Sequence, residues 1–74
     1  MLVSISDNVG DNIRKIRKLR GLTMKELGII LGVSETNIRA YELGKRNPKY
    51  ETIKRFASAL DVDVSVLSPT LFPI

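Results

Sequence analysis

The chain has neither cysteine nor histidine among its 74 residues. Without cysteine there is no disulfide framework, no thiolate metal site and no cysteine nucleophile, a composition that suits a reducing cytoplasm. Without histidine the imidazole general base and the usual nitrogen ligands are gone too, which leaves carboxylates, lysine and tyrosine as the only catalytic groups. An enzyme is therefore not expected, nor a cofactor, a metal or a small-molecule substrate. No window approaches the ~18 consecutive apolar residues of a membrane span, and the start, MLVSISDNVG, has no basic region ahead of a long apolar run. A soluble, cytoplasmic protein with no membrane partner is expected. There is also no internal repeat, low-complexity run or long linker.

What is present is enough for one domain with one small core, since 43% of the residues are hydrophobic. Cores of this size are marginal and often gain stability from a partner subunit. The formal charge is only +4, but its placement is uneven. Five of the twelve basic residues crowd into Arg14, Lys15, Arg17, Lys18 and Arg20, six more lie between Arg39 and Arg55, and none follows. A run of Lys and Arg is by itself no more than a solvated face; a phosphate-binding surface requires a fold that presents it.

Such a fold is written between Thr23 and Gly44. Thr23 followed three residues later by Glu26 is a capping box, in which hydroxyl and carboxylate reciprocally satisfy backbone N–H groups at a helix start. Met24, Leu27 and Leu31 then recur at helical spacing, and Gly32 supplies the turn. Ser34 is a second N-cap with Asn37 three residues on. Ile38 and Tyr41 share one face of the helix it opens, and Gly44 offers the next stop. Two helices joined by a short Gly-containing turn can present the second one to a DNA major groove.

The run LTMKELGIILGVSETNIRAYELGKRNP resembles the Cro/C1-type (XRE, lambda-repressor-like) helix-turn-helix family. The likeness rests on Leu22-Thr23, Glu26-Leu27, Leu31-Gly32-Val33-Ser34, Ile38, Tyr41-Glu42 and Gly44 to Pro48. It covers, with the flanking helices, roughly Val9 to Leu67. Gly28 stands where this family usually has Ala, Met24 where phage members often have Gln, and Ile29-Ile30 where polar residues are usual. The resemblance implies an all-α, five-helix domain that binds double-stranded DNA and regulates transcription, repression being the expected outcome. It also implies that the residue types at Arg17 and Glu42 form an ion pair between the first and third helices.

With Ile38 and Tyr41 inward, Glu35, Thr36, Arg39 and Ala40 project outward and Asn37 lies on the flank. Arg can bond guanine, Asn adenine and Glu cytosine, while Thr or Ala can touch a thymine methyl. These five and Met24, whose matching family position faces the groove, are the expected base readers. Glu35 has a duller role available, since an acidic residue in a first turn is favoured by the helix dipole alone. Thr23, Lys25, Lys45, Arg46 and Asn47 are the expected phosphate contacts.

The remaining helices follow from periodicity. Ser6 or Asp7 is expected to cap a first helix with Val9, Ile13, Ile16 and Leu19 inward. A fourth helix from about Lys49 is expected to bury Tyr50, Ile53, Phe56, Ala57 and Leu60, with Lys54 and Arg55 on the wet side. Asp63 should cap a last short turn through Leu67. The expected core is Ile13, Ile16, Leu27, Leu31, Val33, Ile38, Tyr41, Ile53, Phe56 and Leu60. The domain is thus expected over 7–67, with the helix-turn-helix at 23–44, an extension at 1–6 and an apolar tail at 68–74. Val66, Leu71, Phe72 and Ile74 lie in a segment without basic residues, which points to a homodimer on a palindromic operator. The competing reading is an antitoxin-like interaction module that neutralises a partner protein through Ile29-Ile30 or the tail TLFPI.

Overall fold

The computed structural model describes residues 8–69. The chain order is α1 (Val9–Leu19), α2 (Met24–Leu31), α3 (Glu35–Glu42), α4 (Tyr50–Leu60) and α5 (Val64–Leu67), with no strand among the described residues. α3 packs against both α2 and α1, α4 backs α2, and α5 closes the bundle against α1 and α4.

Helix starts are set by side-chain caps. Thr23 and Glu26 form the full capping box on α2, Ser34 accepts from Asn37 N–H at the start of α3, and Asp63 accepts from Ser65 N–H on α5. The cap of α1 is Asn8, which accepts from Asp11 N–H at 3.0 Å. This corrects the expected cap, because Asn, Ser and Asp are nearly equivalent caps and sequence alone does not rank three neighbours. Ser6 and Asp7 lie outside the described residues, as do the extension at 1–6 and the tail residues Leu71, Phe72 and Ile74. Gly32 ends α2 with φ 73°, and α4 ends without glycine, Asp61 taking the left-handed φ of 57° itself.

The core is Ile13, Ile16, Leu27, Leu31, Ile38, Ile53, Phe56, Ala57, Leu60 and Leu67, with Val33 and Tyr41 packed at its edge rather than inside. Two residues expected to face inward are on the surface, Leu19 at 46% and Tyr50 at 48% exposure. Each sits in a terminal turn, the last of α1 and the first of α4, where the apolar stripe runs past the facing helices. Tyr50 instead places its ring under the Lys54 ammonium, 5.3 Å from the centroid.

Three polar side chains join elements across the sequence. The fully buried Asn12 donates to Leu67 O at 3.0 Å, tying α1 to α5. Arg20 donates to Leu60 O and Asp61 O at 2.8 and 3.0 Å, and Arg55 donates to Leu31 O. Both arginines satisfy carbonyls that a helix leaves open at its C-terminus, on α4 and α2 respectively.

Candidate nucleic-acid interface

Three constraints place α3. Ile38 is fully buried in the core, and the Tyr41 ring meets Phe56 edge to face at 5.5 Å. α1 then crosses its last turn so closely that a Cβ built on Gly10 would lie 2.2 Å from Tyr41 O. Only glycine allows that approach.

The third constraint is the contact between Arg17 and Glu42. Arg17 Nε and Nη2 donate to Glu42 Oε2 and Oε1 at 2.6 and 3.0 Å, a two-pronged pairing with side chains only 8% and 4% exposed. The remaining guanidinium nitrogen, Nη1, donates to Leu22 O at 2.8 Å. A planar guanidinium fixed at three points holds the end of α3 in one rotation about its axis.

With that face turned inward, Glu35, Thr36 and Arg39 are exposed, and Asn37 and Ala40 are half-buried. Glu35 and Arg39 stand one turn apart with their charges 3.8 Å from each other. On α2, Thr23 and Lys25 are exposed and Met24 is half-buried against the core. The Thr23 N–H is engaged by Glu26 Oε1 at 2.8 Å and its hydroxyl oxygen accepts from Glu26 N–H at 3.0 Å, so a phosphate contact from Thr23 falls to the hydroxyl proton. Lys45, Arg46 and Asn47 follow α3 as an exposed basic loop. Arg46 is not extended into solvent: its Nη1 donates to Asn37 Oδ1 at 3.1 Å and its guanidinium lies over the Tyr41 ring at 5.4 Å. At Gly28 a Cβ would lie 2.7 Å from Val33 O, so the glycine lets the turn between the two helices close tightly.

A short helix buried on one side by a partner helix, capped at its start and flanked by exposed cations is a surface able to enter a DNA groove. A family model described as Helix-turn-helix matches residues 13–67. The chain belongs to this helix-turn-helix family. It is 37% identical over 57 residues to the uncharacterized HTH-type transcriptional regulator YqaE of Bacillus subtilis, covering 77% of this chain and 49% of that one. It is 36% identical over 63 residues to the HTH-type transcriptional regulator y4dJ of Sinorhizobium fredii, covering 84% and 82%. The chain thus spans about half the length of the Bacillus relative and most of the Sinorhizobium one. Among solved structures, the P22 c2 repressor protein in complex with a synthetic operator superposes with a TM-score of 0.76 at 27% identity, covering 85% of this chain and 96% of that one.

Within this helix-turn-helix frame the basic cluster of α1 divides into two groups. Arg17 and Arg20 are committed to Glu42 and to the end of α4, and Lys15 pairs with Asp11 at 3.0 Å. Arg14 and Lys18 are exposed and line one cleft with Met24, Arg39 and Leu43. They share a rim with two expected base readers, which reasoning from charge runs did not single out. The signal was available in their spacing: four residues apart, they occupy the same face of α1.

Proposed function

We propose that the chain is a sequence-specific double-stranded DNA-binding regulator of transcription, acting in the cytoplasm as a repressor and without catalysis. The reading is carried by α3, whose inward side is fixed by Ile38 and the Arg17–Glu42 pair while its outward side presents Glu35, Thr36 and Arg39. Docked in a major groove, Thr36, Arg39 and the flanking Asn37, Ala40, Glu35 and Met24 reach base edges. Thr23, Lys25, Lys45, Arg46 and Asn47, joined by Arg14 and Lys18, line the backbone. Family membership and the operator-bound neighbour support this reading. The DNA-binding unit is residues 7–67, with 23–44 as its helix-turn-helix.

The two contact classes separate in one experiment. Arg39→Ala should cost about 1–3 kcal/mol, mainly by relaxing preference at one base pair, whereas Lys45→Ala should weaken all duplexes alike and reduce the salt slope by about one. Selection from a random duplex pool, followed by competition at several salt concentrations, measures both. Equal weakening of selected and random duplex by Arg39→Ala would remove it from the base-reading set.

A homodimer on a palindromic operator completes the proposal, with two copies of α3 set about 34–36 Å apart, one turn of DNA. Its support is the smallness of the core and the apolar Leu71, Phe72 and Ile74 in a stretch of sequence without basic residues. Sedimentation of the intact chain and of one ending at Ser68 tests it; a monomer in both, binding a single half-site, would overturn it. A protein-interaction role keeps one observation in its favour, the exposure of Ile29 at 72% and Ile30 at 55%. Failure to select any duplex, together with a defined complex with a partner protein, would favour it.

A further inference from the structure

Asn37 and Arg46 belong to different parts of the surface, one to α3 and one to the loop after it, yet their side chains meet at 3.1 Å. Tyr41, over whose ring the same guanidinium lies at 5.4 Å, is one helical turn beyond Asn37. The Arg46 side chain therefore runs back along the flank of α3 toward its N-terminal end. A guanidinium has donors and no acceptor, so its presence dictates which end of the carboxamide faces it. The oxygen of Asn37 turns to Arg46 and the NH2 group turns away.

We propose that Arg46 is a positioning residue for base reading, holding Asn37 with its donor end toward the DNA so that it recognises a base by an acceptor rather than by pairing with adenine. This rests on the reading that α3 enters the major groove. An unrestrained Asn pairs with adenine through two bonds, giving one to N7 and accepting one from the N6 amino group. That contact needs the oxygen as well as the NH2 group, and here the guanidinium already takes one lone pair of the oxygen, which weakens it as an acceptor for N6. The NH2 group suits guanine O6 and N7 or thymine O4. At adenine it keeps N7 alone, since N6 presents another donor, and at cytosine N4 it meets only a donor. The base pair beside Asn37 is thus read as keto against amino. Arg46 contributes to specificity without itself touching a base, and its charge remains available to a phosphate nearby.

The test is selection from a random duplex pool by the wild-type chain and by Arg46→Met, Asn37→Ala and the double variant, each checked for unchanged helicity. Methionine keeps the length of the side chain and removes every donor. The wild type should prefer guanine or thymine over adenine at one position by roughly fivefold or more, the low end of what one good base contact supplies. Arg46→Met should lose that preference and admit adenine there, Asn37→Ala should lose all preference there, and the double variant should match Asn37→Ala. If Arg46→Met weakens every duplex equally and leaves the preferred bases unchanged, Arg46 is a phosphate contact alone and the inference is wrong. It is also wrong if Arg46→Met still alters base choice in the Asn37→Ala background. A wild-type chain that selects no sequence at all overturns the DNA reading itself, an outcome distinct from either of these.

Discussion

Removing one partner of the Arg17–Glu42 pair should damage the domain far more than removing both. The two side chains are 8% and 4% exposed and meet through two bonds of 2.6 and 3.0 Å, so neither has water to fall back on. Arg17→Met leaves the Glu42 carboxylate buried without its cation. Glu42→Leu leaves a buried guanidinium whose remaining hydrogen bond is to Leu22 O. Breaking a buried pair from one side costs about 3–5 kcal/mol, while replacing the whole pair by apolar groups of similar volume is often neutral. A domain of this length holds roughly 4–11 kcal/mol in total, so either single variant forfeits a large share of its stability. The double variant Arg17→Met/Glu42→Leu should recover most of it. Urea unfolding of the four proteins gives the coupling directly. A coupling within about 0.3–0.5 kcal/mol of zero, the range for independent sites, would refute the argument that α3 is held by this pair. The recovered double variant should still bind DNA less well than the wild type, because an apolar contact fixes the rotation of α3 less closely than a planar, two-pronged one.

Further outcomes follow from packing and protonation. Phe56→Ala, at a side chain 1% exposed, should cost about 3–5 kcal/mol in a thermal or urea melt, and a transition that barely moves would take Phe56 out of the core. Gly10→Ala should destabilise through the clash with Tyr41 O at 2.2 Å, a backbone atom that cannot move aside as a side chain could; a variant with wild-type stability would show that α1 and α3 can separate without cost. Glu26 is held below its ordinary value of 4.5, first by the hydrogen bond from the Thr23 N–H and then by the one from the Thr23 side chain. A depressed carboxyl contributes stability that is complete above its unfolded value and is lost as pH falls through its lower folded value. The Glu26→Gln variant should therefore show a shallower loss of stability below about pH 4.5 than the wild type, and identical acid limbs would remove the capping box from that account. Asp63, lowered by the Ser65 hydroxyl and then by the Ser65 N–H, adds to the same acid limb with the same sign.

What the sequence disclosed and what it concealed divide along the range of the interactions. Thr23 with Glu26, Ser34 with Asn37, Gly32 and Asp63 act over two to four residues, and each does in the structure what its spacing implied. Ile13, Leu27, Ile38 and Phe56 were legible because helical periodicity marks an inward face. Leu19 and Tyr50 lie on the same stripes and are exposed, because periodicity says which way a residue points but not whether another helix is still opposite it. Asn12 with Leu67 and Arg20 with Leu60 are separated by 55 and 40 positions, and no local pattern connects them. The meeting of Arg17 and Glu42 was foreseen only through family resemblance, since nothing in the spacing of two charges predicts a two-pronged buried contact. The commitment of Arg20 and Lys15 to other partners could not be read from a charge run either.

α3 is eight residues long, well below the roughly 12–15 at which an isolated helix becomes even marginally stable in water. Its rigidity must come from outside, and the contacts that supply it are distributed along its length rather than gathered at one end. Ser34 caps the first turn, Ile38 is anchored in the middle, and Tyr41 and Glu42 are held in the last turn by Phe56, Gly10 and Arg17. All of these act on one side. The opposite side is left with the exposed Glu35, Thr36 and Arg39, which take no part in the core and can change without unfolding the domain. Under the proposed function, stability and base reading thereby fall to different residues of the same two turns. A helix held this way pays little ordering entropy when it meets DNA, so the contacts it makes are expressed as affinity and base preference rather than spent on folding.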